Sequence, residues 1–186
     1  MKKILGVLGS PRKEGNTHIL ISKILEGAKG VGATGEIIFL NDLDIKECDG
    51  CYSCWKGSDC SKKDDMNDLY PKIFESDVII WGTPVYWYGP TALIKAFLDR
   101  FIYVTSPDNR SKMEGKSAVL VIPFEEKHLE IATPLVEMFE KGFKYMKMEI
   151  IESLIVPGVF KKGDVLKKED VLERAKKIGE KIGKID

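Results

Sequence analysis

Four cysteines, Cys48, Cys51, Cys54 and Cys60, follow one another with the spacing C-x2-C-x2-C-x5-C. Thiolates three residues apart in a tight turn can converge on the corners of one cubane, and a fourth a few residues later can close it. Zinc competes for the same donors. Four-cysteine zinc sites, however, pair two C-x2-C knuckles across a longer gap, whereas here three cysteines are evenly stepped. A loop of plain thiols or a disulfide is the third reading. Because every cysteine lies between positions 48 and 60, a disulfide framework spread through a secreted fold is disfavoured.

A second group runs Gly9-Ser10-Pro11-Arg12-Lys13-Glu14-Gly15-Asn16-Thr17. If it joins a strand to a helix, the unpaired N–H groups and dipole of the helix start favour a phosphate. Ser10, Asn16 and Thr17 add neutral donors there, and Arg12 and Lys13 add positive charge. The Gly-Lys-Ser/Thr ending of a nucleoside-triphosphate loop is missing, so a single phosphate monoester fits better. An ordinary Gly-rich turn with an Asn or Thr cap is the alternative. The third group, Gly82-Thr83-Pro84-Val85-Tyr86-Trp87-Tyr88-Gly89-Pro90, offers planar aromatic surface on a backbone stiffened by proline. Core packing or a subunit contact would also account for such rings.

The elements that must carry these groups alternate. Strands are predicted at Lys3 to Leu8, Glu36 to Leu40, Asp77 to Gly82, Ser117 to Ile122 and Glu149 to Val156. Helices are predicted from Asn16 onward and at Asp65 to Glu75, Thr91 to Tyr103, Leu129 to Tyr145 and Lys168 to Lys184. Five strands alternating with five helices imply right-handed crossovers and a doubly wound five-stranded parallel sheet covered on both faces, an α/β architecture of flavodoxin-like type. Ligands of such sheets bind beyond the carboxyl ends of the strands, so the loops after the first and third strands are where to look. Gly30-Val31-Gly32-Ala33-Thr34-Gly35 matches a dinucleotide-binding string letter for letter. It follows a helix and precedes a strand, the reverse of what pyrophosphate needs, and reads as a helix C-cap and turn. The least regular stretches are Asn41 to Asp64 and Val104 to Lys116, each longer than an ordinary connection.

Taken in order, the phosphate loop, the aromatic loop and the cysteines resemble the NADPH-dependent FMN reductase and NAD(P)H quinone reductase families, and most closely the iron-sulfur flavoproteins of anaerobes. The resemblance covers roughly the first hundred residues. It implies FMN, with Pro84, Val85, Tyr86, Trp87 and Tyr88 against the isoalloxazine. It also implies a 4Fe-4S cluster on Cys48, Cys51, Cys54 and Cys60, and a homodimer or homotetramer with intersubunit sites. Electrons would pass between flavin and a ferredoxin-like carrier or a small-molecule acceptor, with NAD(P)H as a candidate co-substrate. The enzyme alternative is a cluster-free NAD(P)H-dependent FMN or quinone reductase, and the non-enzymatic one is a binding domain with a zinc-stabilised cysteine loop. One departure stands out: related reductases often place a Gly-rich turn after strand four, where this chain has Pro123-Phe124-Glu125-Glu126-Lys127-His128. Bulk and acidity there would either narrow the ring pocket or leave its edge open.

Composition narrows the rest. The 186 residues are 44% hydrophobic, enough for one core, so residues 1–186 are expected to form a single domain with a cysteine-rich loop at 41–64. Lys plus Arg and Asp plus Glu each total 29, so no net field draws the chain to nucleic acid or an anionic membrane. The longest apolar runs are strand-length and the N-terminus lacks a signal-peptide pattern, which points to the cytoplasm.

Overall fold

Runs such as Val78-Ile79-Ile80-Trp81 and Ala118-Val119-Leu120-Val121 have no polar face, and residues of that kind persist in a strand only where both faces are covered. The computed structural model, which describes residues 1–184, covers them in this way. Its strands are β1 (Lys3–Leu8), β2 (Thr34–Phe39), β3 (Val78–Gly82), β4 (Ser117–Pro123) and β5 (Glu149–Val156). Its helices are α1 (Asn16–Gly30), α2 (Met66–Glu75), α3 (Ala92–Asp99), α4 (Thr133–Tyr145) and α5 (Glu169–Ile182). The predicted single domain includes positions 185 and 186, which lie outside the described residues.

All four strand pairings are parallel, in the order β2-β1-β3-β4-β5. The order reverses at β1, so the crevice at the carboxyl ends of β1 and β3 is the switch point of the flavodoxin-like sheet. Alternation along each strand divides the core. Leu5, Val7, Ile79, Trp81 and Leu120 face α2, α3 and α4, while Ile4, Leu8, Ile80, Val119 and Val121 face α1 and α5. Gly179 lets α5 lie directly on α1, because a Cβ there would run into the Ile24 carbonyl. On the opposite layer the Trp81 indole is ringed by Phe97, Phe101, Phe139 and Phe143.

Two helices depart from their sequence-predicted limits for local reasons. The helix expected over Thr91 to Tyr103 is α-helical only to Asp99 and tightens into a 3-10 turn at Arg100–Ile102. There the Arg100 carbonyl accepts from Tyr70 Oη (3.5 Å) and the Ile102 carbonyl accepts from Trp55 Nε1 (3.0 Å). The helix expected from Leu129 begins as a 3-10 turn, and α4 proper starts at Thr133 because Pro134 stands in its first turn and has no N–H to give. The Gly30 to Gly35 stretch is the expected cap and turn: Ala33 N–H returns to the Ala28 carbonyl and Gly32 sits at φ +94°. Among the described residues no helix is long and apolar enough to cross a membrane.

Candidate functional site

The loops after β1 and β3 are stitched together at the carboxyl edge of the sheet. Gly9 N–H donates to the Gly82 carbonyl (2.8 Å), Thr91 Oγ1 donates to the Gly9 carbonyl (2.6 Å), and Thr91 N–H donates to Thr83 Oγ1 (3.1 Å). Gly9 is required by space, since a Cβ would overlap the Ile94 side chain. Thr91 also caps α3 by accepting from Ile94 N–H (3.3 Å). Thr83 and Thr91 are buried and were not among the residues that the sequence pattern singled out.

Over this seam lies a cleft of about 660 Å³, counting its open mouth, which is within the range of small-molecule sites. Its polar end is formed by Ser10, Arg12, Asn16 and Thr17. Ser10 and Thr17 are buried. Ser10 Oγ accepts from Arg12 N–H (3.3 Å), which leaves the hydroxyl proton free to donate outward. Gly15 caps α1 without a side-chain hydrogen bond, so the first-turn N–H groups beside Asn16 and Thr17 remain as donors. A phosphate monoester is the chemical match to buried hydroxyls at an uncapped helix start.

Two of the expected phosphate ligands hold the wall of the cleft. Arg12 Nη1 donates to the Phe160 carbonyl (3.0 Å), and Asn16 binds the loop after β5 twice, through the Lys161 carbonyl (3.0 Å) and Val165 N–H (3.1 Å). Lys162 adds an ion pair with Glu14 (2.9 Å). Lys13 turns away to Asp42 (2.7 Å), at the start of the loop after β2, and is not part of the lining. His18 accepts Glu14 N–H at Nδ1 (2.9 Å), and its burial holds its pKa below the usual value.

The ring end is lined by Pro84, Val85 and Tyr86 on one side and by Phe124, Glu125 and Glu126 on another. The Pro123 to His128 segment therefore supplies a wall, fastened to the extension of β5 by Phe124 N–H to the Val156 carbonyl and Val159 N–H to the Phe124 carbonyl. Trp87 and Tyr88 stand outside the lining, at the tip of a hairpin in which Tyr86 and Gly89 exchange both backbone hydrogen bonds. Trp87 is 97% exposed, and both tip residues are left-handed, at φ 51° and 62°. Type I′ turns of this kind ordinarily take Asn-Gly, and bulky residues in the left-handed region cost about 1–2 kcal/mol each. The aromatic pair is held there against its own backbone preference, with Trp87 almost wholly in solvent. The double variant Trp87→Asn/Tyr88→Gly is expected to gain about 1–2 kcal/mol in stability and, since neither residue lines the cleft, to bind FMN as tightly as its parent. Chemical denaturation and flavin titration on the same preparation check both.

The four cysteines line one small cavity with Arg100, Ile102 and Ser61. Cys54 is buried, Cys48 and Cys60 are half-buried, Cys51 is exposed, and all are free thiols. Burial pushes the Cys54 thiol up, while hydrogen bonds from Ser53 and Ser61 hold Cys51 below its usual value. Among the described residues no three His, Cys, Asp or Glu side chains gather tightly enough for a single metal ion. The loop is nonetheless closely tied: Asp44 N–H reaches Asp65 Oδ2 (2.8 Å), Lys46 N–H reaches Asp64 Oδ2 (3.0 Å), and Tyr103 Oη reaches Asp59 Oδ1 (3.3 Å).

Residues 2–162 match the model of the NADPH-dependent FMN reductase family. The chain belongs to that family. It is an FMN-dependent oxidoreductase. An iron-sulfur flavoprotein from Archaeoglobus fulgidus is 33% identical over 189 residues, spanning 97% of this chain and 93% of that protein. The iron-sulfur flavoprotein of Methanosarcina thermophila is 36% identical over 100 residues, which are 54% of this chain and 52% of the relative. Among solved structures, NAD(P)H:quinone oxidoreductase from Methanothermobacter marburgensis superposes with TM-score 0.74 at 21% identity, covering 99% of this chain and 96% of that one. An FMN-dependent NADH-azoreductase from Bacillus anthracis gives TM-score 0.75 at 12% identity, covering 98% and 100%; at these identities both speak for the fold. In this oxidoreductase the switch-point cleft has buried hydroxyls and a helix start at one end, and Pro84, Val85, Tyr86 and Phe124 beside Glu125 and Glu126 at the other.

Proposed function

We propose that this oxidoreductase holds FMN in the switch-point cleft and a 4Fe-4S cluster on Cys48, Cys51, Cys54 and Cys60, and passes electrons between flavin and a ferredoxin-like carrier or small-molecule acceptor. The observation that carries the reading is that all four thiols line a single cavity. One metal ion draws its ligands to a point, whereas a cubane takes thiolates from the walls around it. The names of the relatives from Archaeoglobus fulgidus and Methanosarcina thermophila support the same reading. The loops after β1 and β2 leave the same edge of the sheet and are linked by the Lys13–Asp42 pair, which favours exchange between the two centres.

FMN, when bound, supplies a centre able to take or give one or two electrons. The chain's own part is to hold it. Ser10, Thr17 and the start of α1 neutralise the phosphate, Pro84 to Tyr86 flank the ring, and Phe124 excludes water from the opposite wall. The exposed Trp87–Tyr88 tip supports a homodimer or homotetramer, with the tip covered by a second copy.

Anaerobic purification should yield FMN together with iron and acid-labile sulfide. Cys51→Ser or Cys54→Ser should lose the broad visible absorbance of the cluster and keep the flavin bands. Flavin with no iron would remove the cluster from the reading. A second reading is a cluster-free NAD(P)H-dependent reductase, in keeping with the NADPH dependence that the family description names. Rapid flavin bleaching on anaerobic mixing with NADPH supports it, and indifference to NADPH with reduction by ferredoxin supports the first.

A further inference from the structure

Arg100 is the first residue beyond α3, and its side chain is 1% exposed. A guanidinium is kept out of water only where its donors are matched. Its Nη1 donates to Asp64 Oδ2 (2.5 Å) and to the Lys46 carbonyl (2.9 Å), two points that bracket the cysteine segment. Its Nη2 donates to Cys60 Sγ at 3.2 Å, and the same side chain forms part of the wall that the four cysteines share. The first two bonds would suffice to close the loop. The third goes beyond closure, because it places a fixed cationic donor on one sulfur of four.

Resting on the cluster reading above, we propose that Arg100 is a positioning residue for the cysteine centre, closing the loop through Nη1 and, through Nη2, giving Cys60 a charge-assisted hydrogen bond that favours the reduced cluster. The physical ground is charge. A reduced cluster carries one more electron than the oxidised one, and a buried cation with an N–H aimed at a ligand sulfur stabilises the more negative state. When one electron enters from a reductant such as dithionite, no bond in the chain breaks and no chain proton moves. Arg100 stays charged throughout. Cys51 Sγ meets only the neutral hydroxyls of Ser61 (3.2 Å) and Ser53 (3.5 Å), so among the described residues the charged donor falls on Cys60.

The test uses the anaerobically isolated full chain with FMN. Arg100→Gln keeps amide donors but drops the charge, and Arg100→Lys keeps the charge but loses the planar fork. Both are titrated with dithionite against reference dyes while the visible and electron paramagnetic resonance signals are followed. The expected result is that Arg100→Gln keeps iron, sulfide and FMN, that its cluster midpoint moves to more negative potential, and that Arg100→Lys recovers part of the shift. The flavin midpoint should stay in place. An unmoved cluster midpoint in Arg100→Gln overturns the proposal and leaves Arg100 as a latch. A folded variant that drops its iron does the same. Should Arg100→Gln fail to fold, Arg100→Met/Asp64→Leu removes both buried charges together; the lost carboxylate offsets part of the effect, but Arg100 is the one bonded to Cys60, so a smaller negative shift is still required of it. Absence of iron and sulfide from the parent defeats the cluster reading itself, which composition decides before any variant is made.

Discussion

Protein carrying Ser10→Ala and Thr17→Val, stripped of flavin and titrated with FMN, is expected to bind it about 10²–10⁴-fold more weakly than its parent. A hydrogen bond to a charged group contributes about 1.5–3 kcal/mol, two of them make about 3–6, and each 1.4 kcal/mol is tenfold. Both substitutions keep near-native volume, and both positions are buried against packed neighbours, so the fold should be little disturbed. Riboflavin lacks the phosphate and provides the internal control: its affinity should be nearly equal in parent and variant. Quenching of flavin fluorescence reads both ligands. If the variant keeps the parent's preference for FMN over riboflavin, the phosphate is not held by these hydroxyls and the assignment of the polar end fails. Arg12→Gln should behave differently. Its guanidinium supports the Phe160 carbonyl, so its loss should loosen the wall and weaken FMN and riboflavin together.

Much of this arrangement was legible in the residues because burial on both faces leaves no alternative pattern for β3 and β4, and because turn residues punctuate the strands. The positions of Ser10, Thr17, Pro84, Val85 and Tyr86 at one cleft follow from parallel topology alone, which sends every strand-to-helix loop to the same edge. Long-range partners were not legible. Nothing in Asn16 announces that its amide binds a loop 145 residues away, nor that Lys13 pairs with Asp42 instead of facing the cleft. The wall at Val159 to Lys162 was missed for the same reason: it follows β5, two strands from the switch point, and reaches the cleft only because the phosphate loop anchors it. Arg100 did leave a signal. Phe97, Phe101 and Val104 form an apolar stripe at helical spacing, and a charge seated on that stripe must have a buried partner.

The partner is Asp64, and Asp64→Asn should be among the most destabilising single substitutions in the chain. The side chain is 0% exposed. Oδ2 accepts from Arg100 and from Lys46 N–H, and Oδ1 accepts from Met66 N–H (3.1 Å) at the start of α2. An amide keeps the shape but withdraws the charge and turns one acceptor into a donor facing donors. Removing one member of a buried ion pair costs about 3–5 kcal/mol, which at this chain length lowers Tm by about 6–20 °C. The pH dependence fixes the cause. Burial pushes the Asp64 carboxyl up, but the hydrogen bonds from Arg100 and Lys46 outweigh it and hold the pKa below the ordinary 3.8. A carboxylate with a depressed folded pKa stabilises fully above its unfolded value and loses that contribution as pH falls through the folded one. The gap in unfolding free energy between parent and Asp64→Asn should therefore be full at pH 7 and hold down to about pH 4, then narrow below the ordinary aspartate pKa. Denaturant melts of both proteins across that range measure it. A gap that is the same at pH 3 as at pH 7 would mean that shape, and not the Arg100–Asp64 charge pair, closes the cysteine loop.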